Sequence, residues 1–200
     1  MADMQWAQRQ AGFGQMTMDE RLKGLDGYST CREAVDWLMA DSRCDMAPVV
    51  WEPAYGLGAL ADALVDHGRI VYVSDVYRWR RECCVIRDFL KPGRKPPGEY
   101  DIVTNPPFYL AQEFAYAGIR QSTTGRVWLL LKLAILQGGR RYYSLFENSP
   151  PKYVYVFVRR VPRMHLFGYD GPKSGGGIIP MAWLMFERGF VGEPRIRWVE

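Results

Sequence analysis

The stretch of this chain best equipped for chemistry is Asn105-Pro106-Pro107-Phe108. Asn105 offers a side-chain carbonyl, and Pro106 offers a backbone carbonyl on a residue with no N–H of its own. Two acceptors on one stiff loop can hold both hydrogens of an –NH2 group and bias the nitrogen lone pair toward an electrophile. Phe108 is placed to stack on a planar ring. An apolar segment, Tyr100 to Val103, ends at this motif. Two prolines cannot continue a strand ladder, and the residue before a proline is pushed out of the helical region. Asn105 is therefore expected on an extended loop at the carboxyl end of a strand, where open α/β sheets bind ligands. An ordinary Pro-Pro turn after a buried strand fits these four residues equally well, so the rest of the chain must decide.

Three further segments end in an acid. Pro48-Val49-Val50-Trp51-Glu52 is a short apolar strand, followed by Pro53-Ala54-Tyr55-Gly56-Leu57-Gly58 and a helical pattern through Leu60, Ala61 and Leu64. Gly56 and Gly58 let backbone approach a ligand where a Cβ would clash, although the third glycine of the dinucleotide fingerprint is missing. Gly68 to Asp75 is a second strand. Asp75 lies about twenty residues beyond Gly56, the spacing at which a strand-end carboxylate meets ribose hydroxyls. Cys84 to Leu90 is a third segment, carrying Asp88 beside Phe89. A tight βα turn explains the glycines alone, and a helix cap explains a lone strand-end Asp.

Around these lie the elements that must position them. Residues 1–24 read as a polar, partly ordered arm, and 25–200 as one domain. Ser29 or Thr30 with Glu33 predicts an N-capped helix through Ala34, Val35, Leu38 and Met39. Gln112 to Arg120 reads as helix and Gly125 to Leu133 as a fully buried strand. Arg140-Arg141-Tyr142-Tyr143-Ser144-Leu145-Phe146 looks helical; its basic and aromatic residues suit either nucleic-acid contact or docking on the sheet. Lys152 to Val158 and Pro180 to Glu187 read as an antiparallel pair of strands. The loops 91–98 and 168–177 are rich in Gly, Pro and basic residues. Alternating strands and helices from 48 to 132 predict a mostly parallel sheet with helices on both faces.

Bulk composition narrows the class. A hydrophobic fraction of 48% with 24% charged residues is that of a soluble globular domain. A net charge of +4 permits nucleic-acid contact without requiring it. The four cysteines show no ligand spacing with His67 or His165, so no metal site is expected. Reduced cysteines, no signal pattern and no long apolar run predict a cytoplasmic protein without a membrane span.

Taken in order, the motifs resemble those of the S-adenosylmethionine-dependent amino-methyltransferases, specifically the N6-adenine DNA methyltransferases. Glu52-Pro53-Ala54-Tyr55-Gly56-Leu57-Gly58 is similar to their motif I, and Asp75 with Val76 to the motif II acid segment. Asp88-Phe89-Leu90 resembles motif III, and Asn105-Pro106-Pro107-Phe108 the catalytic motif IV. Tyr28-Ser29-Thr30-Cys31 resembles motif X, usually Y-x-T-P, with Cys31 in place of the proline. The order is gamma-like, and the resemblance spans about residues 27 to 187.

The resemblance implies a Rossmann-like class I methyltransferase fold with a seven-stranded, mostly parallel sheet and a terminal antiparallel β-hairpin. It implies S-adenosyl-L-methionine as cofactor. Tyr28, Thr30, Glu52, Pro53, Ala54, Gly56, Gly58, Asp75, Val76, Asp88, Phe89 and Asn105 would hold it, and Asn105, Pro106, Pro107 and Phe108 would perform the chemistry. The implied partner is DNA with a flipped adenine, met by a monomer or weak homodimer. Two hundred residues leave no room for the family's separate target-recognition domain, which suits a minimal phage- or mobile-element-borne enzyme; restriction–modification is a setting that the resemblance implies. RNA adenine-N6 and protein glutamine methylation share the motif. A non-catalytic nucleic-acid-binding subunit of the same fold is the alternative from another class.

Overall fold

A computed structural model describes residues 28–79, 84–162, 164–165 and 177–200. The expected arm, residues 1–24, and all but Gly177 of the 168–177 loop lie outside the described residues. The elements run α1 (Arg32–Ala40), β1 (Val49–Glu52), α2 (Ala59–Asp66), β2 (Ile70–Asp75), β3 (Val85–Ile86), β4 (Asp101–Thr104), α3 (Ala111–Gln121), β5 (Arg126–Lys132), β6 (Tyr153–Phe157), β7 (Met181–Glu187) and β8 (Arg195–Val199). Short turns of 3-10 helix cover Phe108–Leu110 and Leu133–Leu136, and a π-helical turn covers Tyr142–Phe146.

One sheet carries all eight strands found among the described residues, in the order β3-β2-β1-β4-β5-β7-β6-β8. β1 pairs in parallel with both β2 and β4, and β4 in parallel with β5. The fold class is as expected, with one addition. The antiparallel pair of β6 and β7 joins the sheet as expected, with β7 as its inner strand, against β5. An eighth strand, β8, then pairs in parallel with β6. The elements expected from the sequence include no strand over 195–199. Arg197 lies over the Tyr153 ring at 3.6 Å and donates to the Tyr155 hydroxyl at 2.8 Å.

The layers follow from strand alternation. On β5, Trp128 and Leu130 face a core built with Ala34, Val35 and Leu38 of α1 and Leu60, Ala63 and Leu64 of α2. Val127, Leu129 and Leu131 face the other side, packing with Ala111, Phe114, Ala115 and Ala117 of α3. Both faces of β5 are thus buried, which is why its sequence is a continuous apolar run.

β4 is pinned at its amino end by Asp101, which is fully buried. Its carboxylate accepts from the Ala47 N–H at 3.0 Å, the Trp128 indole at 2.9 Å and the Arg126 guanidinium at 3.2 Å. Thr124 donates its hydroxyl at 2.5 Å. The buried carboxyl group is tolerated here because these four groups donate to it. Asp101→Ala should destabilise the fold by about 3–5 kcal/mol, and Asp101→Asn, keeping one acceptor, by less. Urea denaturation followed by tryptophan fluorescence measures both; a cost under about 1 kcal/mol for the alanine variant would remove Asp101 as the clamp of β4.

Candidate active site

Strand order reverses between β1 and β4, so their carboxyl ends open the crevice where doubly wound sheets bind ligands. The register pairs Val50 with Asp101 and Trp51 with Ile102. Continued, it sets Glu52 beside Val103, two residues before Asn105, on strands about 5 Å apart. Glu52, Asp75 and Asn105 therefore share one rim of the sheet.

Asn105 is held in one orientation. Its side-chain N–H groups donate to the Tyr28 carbonyl at 3.3 Å and the Thr30 hydroxyl at 3.1 Å. A backbone carbonyl only accepts, so it fixes which end of the amide faces Tyr28 and turns Oδ1 the other way. Pro106 is buried, and Pro107 is extended at φ −52°, ψ 126°. The expected cap of α1 is Ser29 or Thr30; instead Cys31 occupies the N-cap with no side-chain bond, and the Thr30 hydroxyl serves Asn105. Cys31 stands where the resembling motif has proline, and its φ of −74° and ψ of 140° are values a proline adopts. Burial raises its thiol to about 11, so it is a neutral packing group.

The glycine turn after β1 is held from β2. Asp75 accepts from the Gly56 N–H at 2.8 Å and the Tyr77 N–H at 2.9 Å. Gly58 caps α2 at φ 89°, and a Cβ there would come within 2.6 Å of the Tyr55 hydroxyl. Both the left-handed conformation and the close ring demand glycine. Glu52 is buried, and its Oε2 has no hydrogen-bond partner. Burial, then the charges of Asp75 and Asp62, push its carboxyl well above the usual range, against one N–H from Ala61. Burial likewise raises Asp75, opposed by the N–H groups of Gly56 and Tyr77 and by the Trp79 indole. Pro53 is buried beside this pair, with Ala54 and Val76 half-buried.

The third segment behaves differently. Phe89 is a core residue, edge-on to Trp51 at 5.2 Å and against Phe114 at 5.1 Å. Asp88 accepts from the Leu90 N–H at 3.0 Å and pairs with Lys91 at 3.3 Å. The Phe89 ring is thus committed to packing, while Asp88 stays at the rim. His67 pairs with Asp36 at 2.7 Å, away from the rim.

Phe108 lies 5.3 Å from the Tyr28 ring, and the Lys132 ammonium sits over its face at 4.3 Å. Lys132 was read only as the end of an apolar strand. Its signal was a cation at the carboxyl end of β5, on the rim that carries Asn105. Met164, with Sδ 3.9 Å from the Asn105 amide nitrogen, left no readable signal. Among the described residues no His, Cys, Asp or Glu cluster is arranged to hold a metal, and no helix is long and apolar enough to cross a membrane.

No family model matches this sequence, and no curated protein matches it. Solved structures do match its fold. The methyltransferase subunit of a type I restriction-modification system from Streptococcus thermophilus superposes with a TM-score of 0.55 at 11% identity, over 84% of this chain and 45% of that one. The chain therefore spans just under half of that subunit. A putative RNA methyltransferase from Pyrococcus horikoshii gives 0.53 at 16% identity, over 86% and 97% of the two chains. The 23S rRNA methyltransferase ErmE gives 0.50 at 18%, over 81% and 70%. The chain has the fold of the methyltransferases.

The raised acids carry a pH signature. The folded chain keeps protons on Glu52 and Asp75 that the unfolded chain releases. That contribution is full below the ordinary carboxylate values and is lost as pH rises through the raised ones. Glu52→Gln should therefore flatten the fall in Tm above the ordinary carboxylate range. Thermal denaturation across pH measures this, and an unchanged profile would show that Glu52 is not the titrating group.

Proposed function

We propose that this chain transfers the methyl group of S-adenosyl-L-methionine to an exocyclic amino nitrogen, N6 of adenine in DNA. The observation that carries the reading is Asn105, whose side-chain N–H groups are bound by Tyr28 and Thr30 so that Oδ1 is turned outward at the switch point.

The residues of the glycine turn fit the cofactor. Its bound form is cationic at the sulfonium and the amino group, and Glu52 and Asp75 are buried acids with Oε2 of Glu52 unpartnered. A cation beside them relieves the cost that burial and their mutual charge impose. Gly56 and Gly58 keep the turn free of Cβ atoms, Asp75 and Val76 offer a rim for ribose hydroxyls, and Asp88 offers an acceptor for the adenine. S-adenosylmethionine, when bound, supplies an already electrophilic methyl, so the protein's task is chiefly positioning.

The remaining steps belong to the chain. Oδ1 of Asn105 and the Pro106 carbonyl would accept the two N6 hydrogens and aim the nitrogen lone pair, and the nitrogen, once methylated, would release one of these hydrogens as a proton to water. Pro107 stiffens the loop, and Phe108 stacks on the adenine. A base in a duplex must leave the stack to reach this loop. The Lys132 ammonium over Phe108 occupies the face of a ring that an adenine would share, so base entry moves it toward the phosphates.

Two variants separate the roles. Asn105→Ala should lower methyl transfer to DNA by at least about a hundredfold while leaving cofactor affinity near wild type. Asp75→Ala should weaken cofactor binding by about tenfold or more, through the lost acceptor and the released Gly56 turn. Radiolabelled-methyl transfer and calorimetry read both; parallel loss of binding and transfer in Asn105→Ala would make that residue structural.

A further inference from the structure

We propose that Arg140, Tyr142 and Tyr143 form a stacking strip for the DNA strand that flanks the target base. The proposal rests on the reading of the chain as a DNA adenine methyltransferase.

As an amphipathic helix docked on the sheet, this segment would bury its aromatics. In the structure Phe146 does border the core, but the two tyrosines face away from it. Leu145 is the buried anchor, while Tyr142 is 53% and Tyr143 68% exposed. The two rings are held edge to face, with centroids 5.3 Å apart and an interplanar angle of 83°. They stand on a braced turn. The Arg141 guanidinium donates to the carbonyls of Ile135 at 2.7 Å and Gln137 at 2.9 Å, and the Ser144 hydroxyl donates to the Arg140 carbonyl at 2.7 Å. Arg141 is thereby spent on the fold. Arg140 is exposed and has no ion pair among the described residues.

The position selects the occupant. The turn follows β5, whose end residue Lys132 lies over Phe108, and Leu145 packs in the core cluster that Phe108 and Leu110 border. Tyr109, which follows Phe108 in the chain, is 56% exposed. A strand with one nucleotide extruded toward Asn105 exposes the π faces of neighbouring bases and a line of phosphates. Exposed tyrosines beside an uncompensated guanidinium match both: rings for stacking, a cation for the backbone. The net charge of +4 has the sign this needs.

The test is fluorescence anisotropy on the full chain, with labelled single-stranded DNA and RNA of matched sequence, across salt. Tyr142→Ala with Tyr143→Ala should weaken DNA binding by about ten- to a hundredfold. Tyr142→Phe with Tyr143→Phe should restore it, because the π faces return. Arg140→Ala should reduce the slope of log affinity against log salt by about 0.7. Tm and cofactor affinity should match wild type in all three. If the alanine pair misfolds, the phenylalanine pair and Arg140→Ala carry the test: a weakened phenylalanine pair or an unchanged salt slope overturns the strip. Wild-type affinity in a folded alanine pair, loss that phenylalanine does not restore, or tighter RNA binding through the same tyrosines also overturns it. Wild-type DNA affinity in the alanine pair, with methyl transfer intact, rejects the strip alone. Full methyl transfer by Asn105→Ala rejects the catalytic reading alone.

Discussion

The candidate site depends on one constraint: a single amide side chain held by two acceptors that come from a distant part of the chain. Asn105 cannot turn while the Tyr28 carbonyl and the Thr30 hydroxyl hold its nitrogen. The paired prolines remove backbone freedom on one side of it, and β4 anchors the other. The strand in turn is fixed at its far end by Asp101, buried among the donors of Ala47, Thr124, Arg126 and Trp128. Oδ1 is thus oriented before any ligand arrives, which is how a site avoids reorganisation at the moment of reaction.

The same economy of placement governs the other half of the rim. Asp75 is bonded to the backbone of Gly56, so the β2 acid and the β1 turn form one unit. Glu52, one strand over, is buried with an unpartnered oxygen and a raised carboxyl. Two acids kept from water at the mouth of a glycine turn carry a desolvation cost. Acids perturbed by burial and a like-charged neighbour in a crevice are a feature that functional sites concentrate.

Much of this was legible in the sequence, because each element has its own local cause. Apolar runs ending in Glu52, Asp75 and Thr104 located the parallel strands, and the prolines after Asn105 located the loop. What failed to read were residues whose roles belong to tertiary packing. Thr30 looks like a helix cap, and its hydroxyl goes to a residue far along the chain. Phe89 falls in the motif III segment expected to hold a cofactor, and Trp51 and Phe114 draw its ring into the core. Lys132 becomes notable only when β5 lies beside β4. β8 lies outside the elements expected from the sequence, and in the fold Tyr153 and Tyr155 receive its Arg197. The tyrosines after Arg141 were ambiguous in sequence, and the burial of Leu145 resolved which way the turn faces.

The central claim is that this rim clamps an adenine amino group for methylation. Mass spectrometry of nucleosides from the DNA of cells expressing the chain tests it most directly. N6-methyladenine should appear in that DNA and be missing from the DNA of cells expressing Asn105→Ala. Unmodified adenine in DNA, with methyl groups found instead in RNA or on protein glutamine, would contradict it.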